Sequence, residues 1–140
     1  MIQFLVQNVA LPSVLNDETK QWISLIIDKY KKHEGDINYL FCDDPHILQV
    51  NQQYLNHDYY TDIITFDYCS SDVISGDLVI SIDTVKSNAD LFNTKYETEL
   101  KRVIIHGILH LIGFKDSTDL EKQQMRAEED SALLLLSTFH

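Results

Sequence analysis

The chain is short of several things. In 140 residues there are only two cysteines, Cys42 and Cys69, far apart and not in a C-x-x-C pair. A disulfide framework is therefore not expected, and a reducing cytoplasm is the natural compartment. Only four glycines and two prolines occur, with no Pro/Gly/Ser-rich linker, repeat or low-complexity tract. A single domain over residues 1–140 is expected, long enough to bury roughly 68% of its unfolded surface. Long hydrophobic runs are missing too. Stretches such as Ala132 to Leu136 fall far short of the ~20 residues that span a bilayer, and Met1 to Val9 lacks the basic start and small-residue cleavage site of a signal peptide. No membrane association is expected. Cations are scarce: 11 Lys and Arg stand against 22 Asp and Glu, giving a formal net charge of −11 and a pI near 4.7. That argues against a protein that coats nucleic acid through a basic surface, but not against a nucleic-acid enzyme with a local groove.

The apolar content, 44%, suits a globular core. Ile2 to Val6 reads as an opening strand and Leu15 to Lys32 as a helix, capped by Asn16 or Asp17 and stopped by Gly35. Ile37 to Phe41 reads as a second strand. A helix follows Asp43-Asp44 with Pro45 at its first position. Ile63 to Phe66 and Gly76 to Ile82 read as strands three and four, with Asp83 and Thr84 capping a helix that runs to about Phe92. Tyr96 to Ile112 is the next helix. The last runs from Thr118 to about Ser137, with Thr118 and Glu121 spaced as a capping box. The order predicts an α+β fold: a small mixed four-stranded sheet covered by helices, with a metal site on a helix of the C-terminal half.

That site is expected in His106-Gly107-Ile108-Leu109-His110-Leu111-Ile112-Gly113-Phe114-Lys115-Asp116. Histidines four apart lie on one helix face, able to share a metal. Gly113 can end the helix in a left-handed conformation, and Asp116 can then swing back. Two nitrogens and one carboxylate leave a fourth position for water, the catalytic rather than the structural pattern for zinc. The flanking residues are apolar, and paired histidines on so apolar a helix need a reason to be there. Without a metal, the pair would be satisfied core histidines and Asp116 would only favour the positive end of the last helix. Gly107 stands where H-E-x-x-H proteases carry their glutamate base, which weakens a peptidase reading. It either admits a close approach to the helix or is a defect costing about 1 kcal/mol against alanine.

The run from His106 to Gly113 resembles the H-G-x-L-H-L-x-G-Y-D-H signature of the YbeY family, bacterial metal-dependent endoribonucleases of ribosomal RNA maturation. Two further blocks extend the resemblance over most of the chain. Tyr54, Asp58, Thr61, Asp62 and Phe66 match N-x-x-Y-R…D-x-P-T-[DN]-V-L-S-F, and Gly76 to Ser81 matches G-D-[IV]-x-I-[SC]. The resemblance implies single-strand-specific RNA cleavage, one Zn2+ per chain held by His106 and His110, and a cytoplasmic role with ribosomal RNA and the ribosome. In this chain the family's third histidine falls on Asp116, the aspartate before it on Lys115, the arginine after the tyrosine on Leu55, and the proline before the threonine on Tyr60. Asp116 remains an acceptable zinc ligand, harder and more anionic, which should make the bound water less acidic.

RNA contacts are expected from Lys101 and Arg102, and from Tyr59 and Tyr60 stacking on unpaired bases, whereas Phe66 reads as core. Asp62, Asp77 and His57 could line the cleft, but turn or capping roles are the simpler expectation for each. Two other functions compete: a metal hydrolase with another substrate such as a peptide, and a non-catalytic ribosome-associated factor with structural zinc.

Overall fold

The computed structural model describes residues 1–55 and 61–139. Tyr59 and Tyr60, proposed above as stacking platforms, and His57 and Asp58 lie outside the described residues. Among the described residues, four strands form one mixed sheet in the order β1-β2-β4-β3: β1 (Ile2–Gln7), β2 (His33–Cys42), β3 (Ile63–Asp67) and β4 (Val73–Ser81). β1, β2 and β4 run parallel, and β3 pairs antiparallel with β4, Ile63 opposite Ile80. The helices are α1 (Asp17–Lys29), α2 (Asp44–Val50), α3 (Ile82–Leu91), α4 (Tyr96–Ile112) and α5 (Asp119–Leu136). A π-helical turn, Asn51–Leu55, extends α2. The expected mixed sheet covered by helices is what forms.

The local chemistry accounts for most boundaries. The Asn16 side chain caps α1 by accepting from the Thr19 amide. The capping box of α5 is complete, Thr118 accepting from the Glu121 amide and Glu121 accepting from the Thr118 amide. Gly113 ends α4 at φ 129°, open to a residue without a Cβ.

Three expectations are corrected. Gly35 does not stop α1. The left-handed residue there is Lys31 (φ 60°), and Gly35 lies inside β2, where a Cβ would meet Ser75 Oγ at 2.1 Å and the Ile74 carbonyl at 2.9 Å. The cap of α3 is Ser81 rather than Asp83 or Thr84, because the strand gives way to helix at Ile82. Pro45 is the second residue of α2, Asp43 being its cap.

The main core lies between the sheet and α1, α4 and α5. Trp22, Ile23, Ile26 and Ile27 come from α1 and Ile104, Ile105, Ile108 and Leu109 from α4, against Ile37, Tyr39, Leu78 and Ile80 of the sheet. Two buried hydrogen bonds index the helices onto this core. Tyr39 reaches through from β2 to donate to the Ile104 carbonyl of α4 at 2.9 Å. Trp22 Nε1–H donates to the Ala132 carbonyl of α5 at 2.8 Å. Gly107 faces the sheet at close range, since a Cβ there would meet Leu78 Cδ2 at 2.2 Å and Ile63 Cδ1 at 2.9 Å. The missing side chain is what lets α4 lie this close to β3 and β4, and so holds the next turn beside the sheet edge. A smaller core on the other sheet face, Cys42, Ile47, Ile64 and Val79, seats α2.

Candidate metal centre

His106 and His110 project from α4 into a cleft of about 270 Å3 beside the edge strand β3. Asp116, three residues beyond the Gly113 turn, lines the same cleft, with Asn51, Leu55, Thr61, Ile63, Ile64 and Thr65. The structure thus brings together all three of the residues the spacing picked out. Asp116 Oδ2 lies 3.3 Å from His106 Nε2. His110, exposed, occupies the same cleft one turn further along the helix. Among the described residues, no group of three or more His, Cys, Asp or Glu side chains converges tightly enough to hold a metal ion. The centre is a His106–Asp116 pair with a second imidazole alongside. Its donor set of two imidazoles and one carboxylate is nevertheless one that zinc accepts.

The other face of His106 carries a group that sequence spacing did not indicate. Glu129 of α5 is buried, and its Oε2 lies 2.7 Å from His106 Nδ1. Its other oxygen, Oε1, accepts from Arg102 at 2.9 Å, and the second arm of Arg102 donates to Asp130 at 2.6 Å. A chain of charge therefore runs Asp116, His106, Glu129, Arg102, Asp130, joining the loop after α4 to both helices.

Burial alone would lower the His106 pKa. The hydrogen bond and charge of Glu129, with the charges of Asp116 and Asp62, outweigh it and hold the pKa above its ordinary value. Asp62, just before β3, is pushed the other way from a usual carboxylate: burial raises it, against the pull of His106. Glu99 of α4 is likewise raised by burial, against Arg102 and Arg126.

A raised histidine pKa makes the folded, metal-free state the stronger proton binder, so the imidazolium stabilises fully below the unfolded value, about 6.5. That contribution fades as pH climbs through the higher folded value. The metal-free protein is expected to lose thermal stability from pH 6 to pH 8, and His106→Gln to flatten that slope. Melting curves at stepped pH would check this, and an unchanged slope would remove His106 as its source.

The expected RNA contacts fare differently. Arg102 is committed to Glu129 and Asp130, so it is not a free cation for phosphate. Lys101 lines another groove, with Val14, Thr19 and Leu136, away from the histidine cleft. Phe66 packs edge-on against Tyr54 and against the smaller core, as expected of it. Asp77 accepts from Asn38 at 3.2 Å in a groove on the opposite sheet face. Leu55 sits in the cleft wall itself, and the described residues of that wall include neither Lys nor Arg. The charge partners of Glu129 and Arg102 lie 23 and 27 residues apart in sequence and carry no local signal.

A family model described as endoribonuclease YbeY matches residues 5–137. A Porphyromonas gingivalis protein of that name is 53% identical over 135 residues, covering 96% of this chain and 89% of its own length. One from Phocaeicola vulgatus is 54% identical over 137 residues, covering 98% and 99%. The solution structure of a Thermotoga maritima protein superposes with a TM-score of 0.71 at 30% identity, covering 97% of this chain and 89% of that one.

Proposed function

The chain belongs to the YbeY endoribonuclease family, and from that premise we propose that it is a zinc-dependent endoribonuclease that cuts single-stranded RNA. Its place would be in the cytoplasm, in maturation of the small-subunit ribosomal RNA 3′ end and in ribosome quality control. Membership of the family supports a metal-dependent hydrolase with partners among RNA and the ribosome. The observation that carries the finer reading is that His106, His110 and Asp116 all line one cleft.

These three residues would hold one zinc ion. When bound, zinc supplies a Lewis acid for a phosphoryl oxygen and a water of lowered pKa. His106 would offer Nε2, its Nδ1 being turned to Glu129. Leu55, Ile63 and Ile64 give the cleft an apolar wall, and Thr61 and Thr65 bring hydroxyl-bearing side chains to it. An unpaired strand suits a site of this kind, since its bases and sugars can splay as those of a duplex cannot. With Leu55 at the family's arginine position and Arg102 paired internally, grip on the RNA backbone falls to residues elsewhere or to a ribosomal partner.

A peptide substrate is less well supported. A glutamate base at position 107 would point into Leu78 and Ile63 in this helix register, away from any substrate. No helix among the described residues is long and apolar enough to cross a membrane.

The test is cutting of an end-labelled single-stranded RNA by metal-stripped protein, with and without added zinc. Cutting restored by zinc, and absent on the matching duplex, is expected. Products ending in 2′,3′-cyclic phosphate would assign the attack to the RNA 2′-hydroxyl rather than to water. Zinc-loaded protein that cuts no RNA would overturn the reading in favour of a non-catalytic ribosome-associated factor.

A further inference from the structure

We propose that Glu129, braced by Arg102, is a positioning residue that locks His106 with its proton on Nδ1 and so dedicates Nε2 to the metal. The inference rests on the metal site proposed above and deepens it. Three features carry it: the position of Glu129, its bracing, and its helix.

Position comes first. The Glu129 side chain is only 7% exposed, and it meets the one ring nitrogen of His106 that faces away from Asp116. An imidazole has two nitrogens, and a neutral ring donates from one and accepts or ligates with the other. A carboxylate can only accept. Glu129 at 2.7 Å is the shorter contact and the buried one, against 3.3 Å from Nε2 to the more exposed Asp116, so it favours the Nδ1–H tautomer and leaves Nε2 to the Asp116 side of the cleft. Metal-bound histidines commonly donate their second N–H to a carboxylate in this way, which fixes the ring and raises its basicity.

Bracing comes second. A buried carboxylate with a single partner would be costly, but Glu129 has both oxygens engaged, one by His106 and one by Arg102. The second arm of Arg102 is tied to Asp130, the residue after Glu129, so the guanidinium clamps one turn of α5 from two sides. A planar fork with fixed donors suits this task, which the single ammonium of lysine does not match.

The third feature is where the support comes from. α5 is itself anchored to the core by Trp22 through Ala132, three residues beyond Glu129. The orientation of a cleft histidine on α4 thus depends on a helix that contributes nothing to the described cleft lining.

The test pairs zinc affinity, by competition with a chromogenic chelator, with 15N-detected imidazole spectra of the metal-free protein above the His106 titration. In the wild type the Nδ1-protonated form should dominate at His106. Glu129→Ala should mix the tautomers and weaken zinc binding by about 10–100-fold. Glu129→Gln, which keeps an acceptor oxygen, should retain the tautomer and recover part of the affinity. Arg102→Lys should fall between the two. A purely structural role would lower the melting temperature of these variants and leave the tautomer untouched. Should Glu129→Ala fail to fold, the glutamine and lysine variants still decide the matter. Wild-type tautomer ratio and zinc affinity within twofold in every folded variant would overturn the proposal. Wild-type protein that binds no zinc while holding the Nδ1–H tautomer would instead overturn the zinc site and leave the locking of the ring standing.

Discussion

His110→Ala is expected to leave a folded protein whose zinc-stimulated RNA cutting falls by a factor on the order of a thousand or more, beyond the 10–100-fold typical of losing an outer partner of a ligand. The reason for expecting the fold to survive is exposure. His110 projects into the cleft from the outer side of α4, while the residues on either side of it, Leu109 and Leu111, are buried. Surface substitutions of that kind usually change stability by no more than about 0.5 kcal/mol. His106→Ala makes the informative contrast. It removes a proposed ligand and also takes away one of the two partners of buried Glu129. An under-partnered buried polar group costs about 1–3 kcal/mol, more when charged. His106→Ala should therefore lose activity and melt earlier, whereas His110→Ala loses activity alone. Melting curves and a zinc-titrated cleavage assay on both variants check this. Wild-type cutting by His110→Ala would remove that residue from the site.

Trp22→Ala should destabilise the protein by about 3–5 kcal/mol, a large share of the roughly 5–15 kcal/mol that holds a domain of this size. Trp22 is fully buried at the junction of α1 with α5 and the core. Truncation removes its ring from the core and also its N–H from the Ala132 carbonyl. The Trp22→Phe variant separates the two effects, since it keeps much of the apolar volume and loses the hydrogen bond. Its cost should be nearer 1–2 kcal/mol, part from the bond and part from the smaller ring. Urea unfolding with a common slope would measure both. A cost below 1 kcal/mol for alanine would mean that α5 is held mainly by something other than this side chain.

The elements that were legible in the sequence share a trait: their signals are local. The apolar periodicity and terminal Gly113 give α4 its observed bounds, and the Thr118/Glu121 spacing gives the start of α5. The ends of β2 and β4 were harder because they are set by neighbours. Gly35 serves the close approach of Ser75 and Val73 from β4, a contact 40 residues away that looks locally like a helix stop. The site divides in the same way. His106 and His110 follow from helix geometry and Asp116 from the turn beyond Gly113. Glu129 could not be found like this, because α5 comes to α4 only through tertiary packing. The same fact hides the pairing of Arg102 from the sequence. A cation on the expected metal helix itself suggests RNA, and its two acidic partners come from another helix. Lys101, its neighbour, lines a different groove because one step along a helix turns a side chain by about 100° onto another face.

Among the described residues, the order β1-β2-β4-β3 leaves two strands with an unshared side, β1, where Leu5 and Val6 are half exposed, and the short β3 beside the histidine cleft. Open strand edges invite pairing between copies. The formal charge of −11, which makes the surface a poor host for RNA phosphates, makes each molecule an equally poor host for another of its kind. Colloidal behaviour and substrate capture are thus set by one quantity with opposite demands. Adding lysines to improve RNA affinity would weaken the repulsion that keeps those edges apart, and solutions brought toward the pI near 4.7 would lose the same protection.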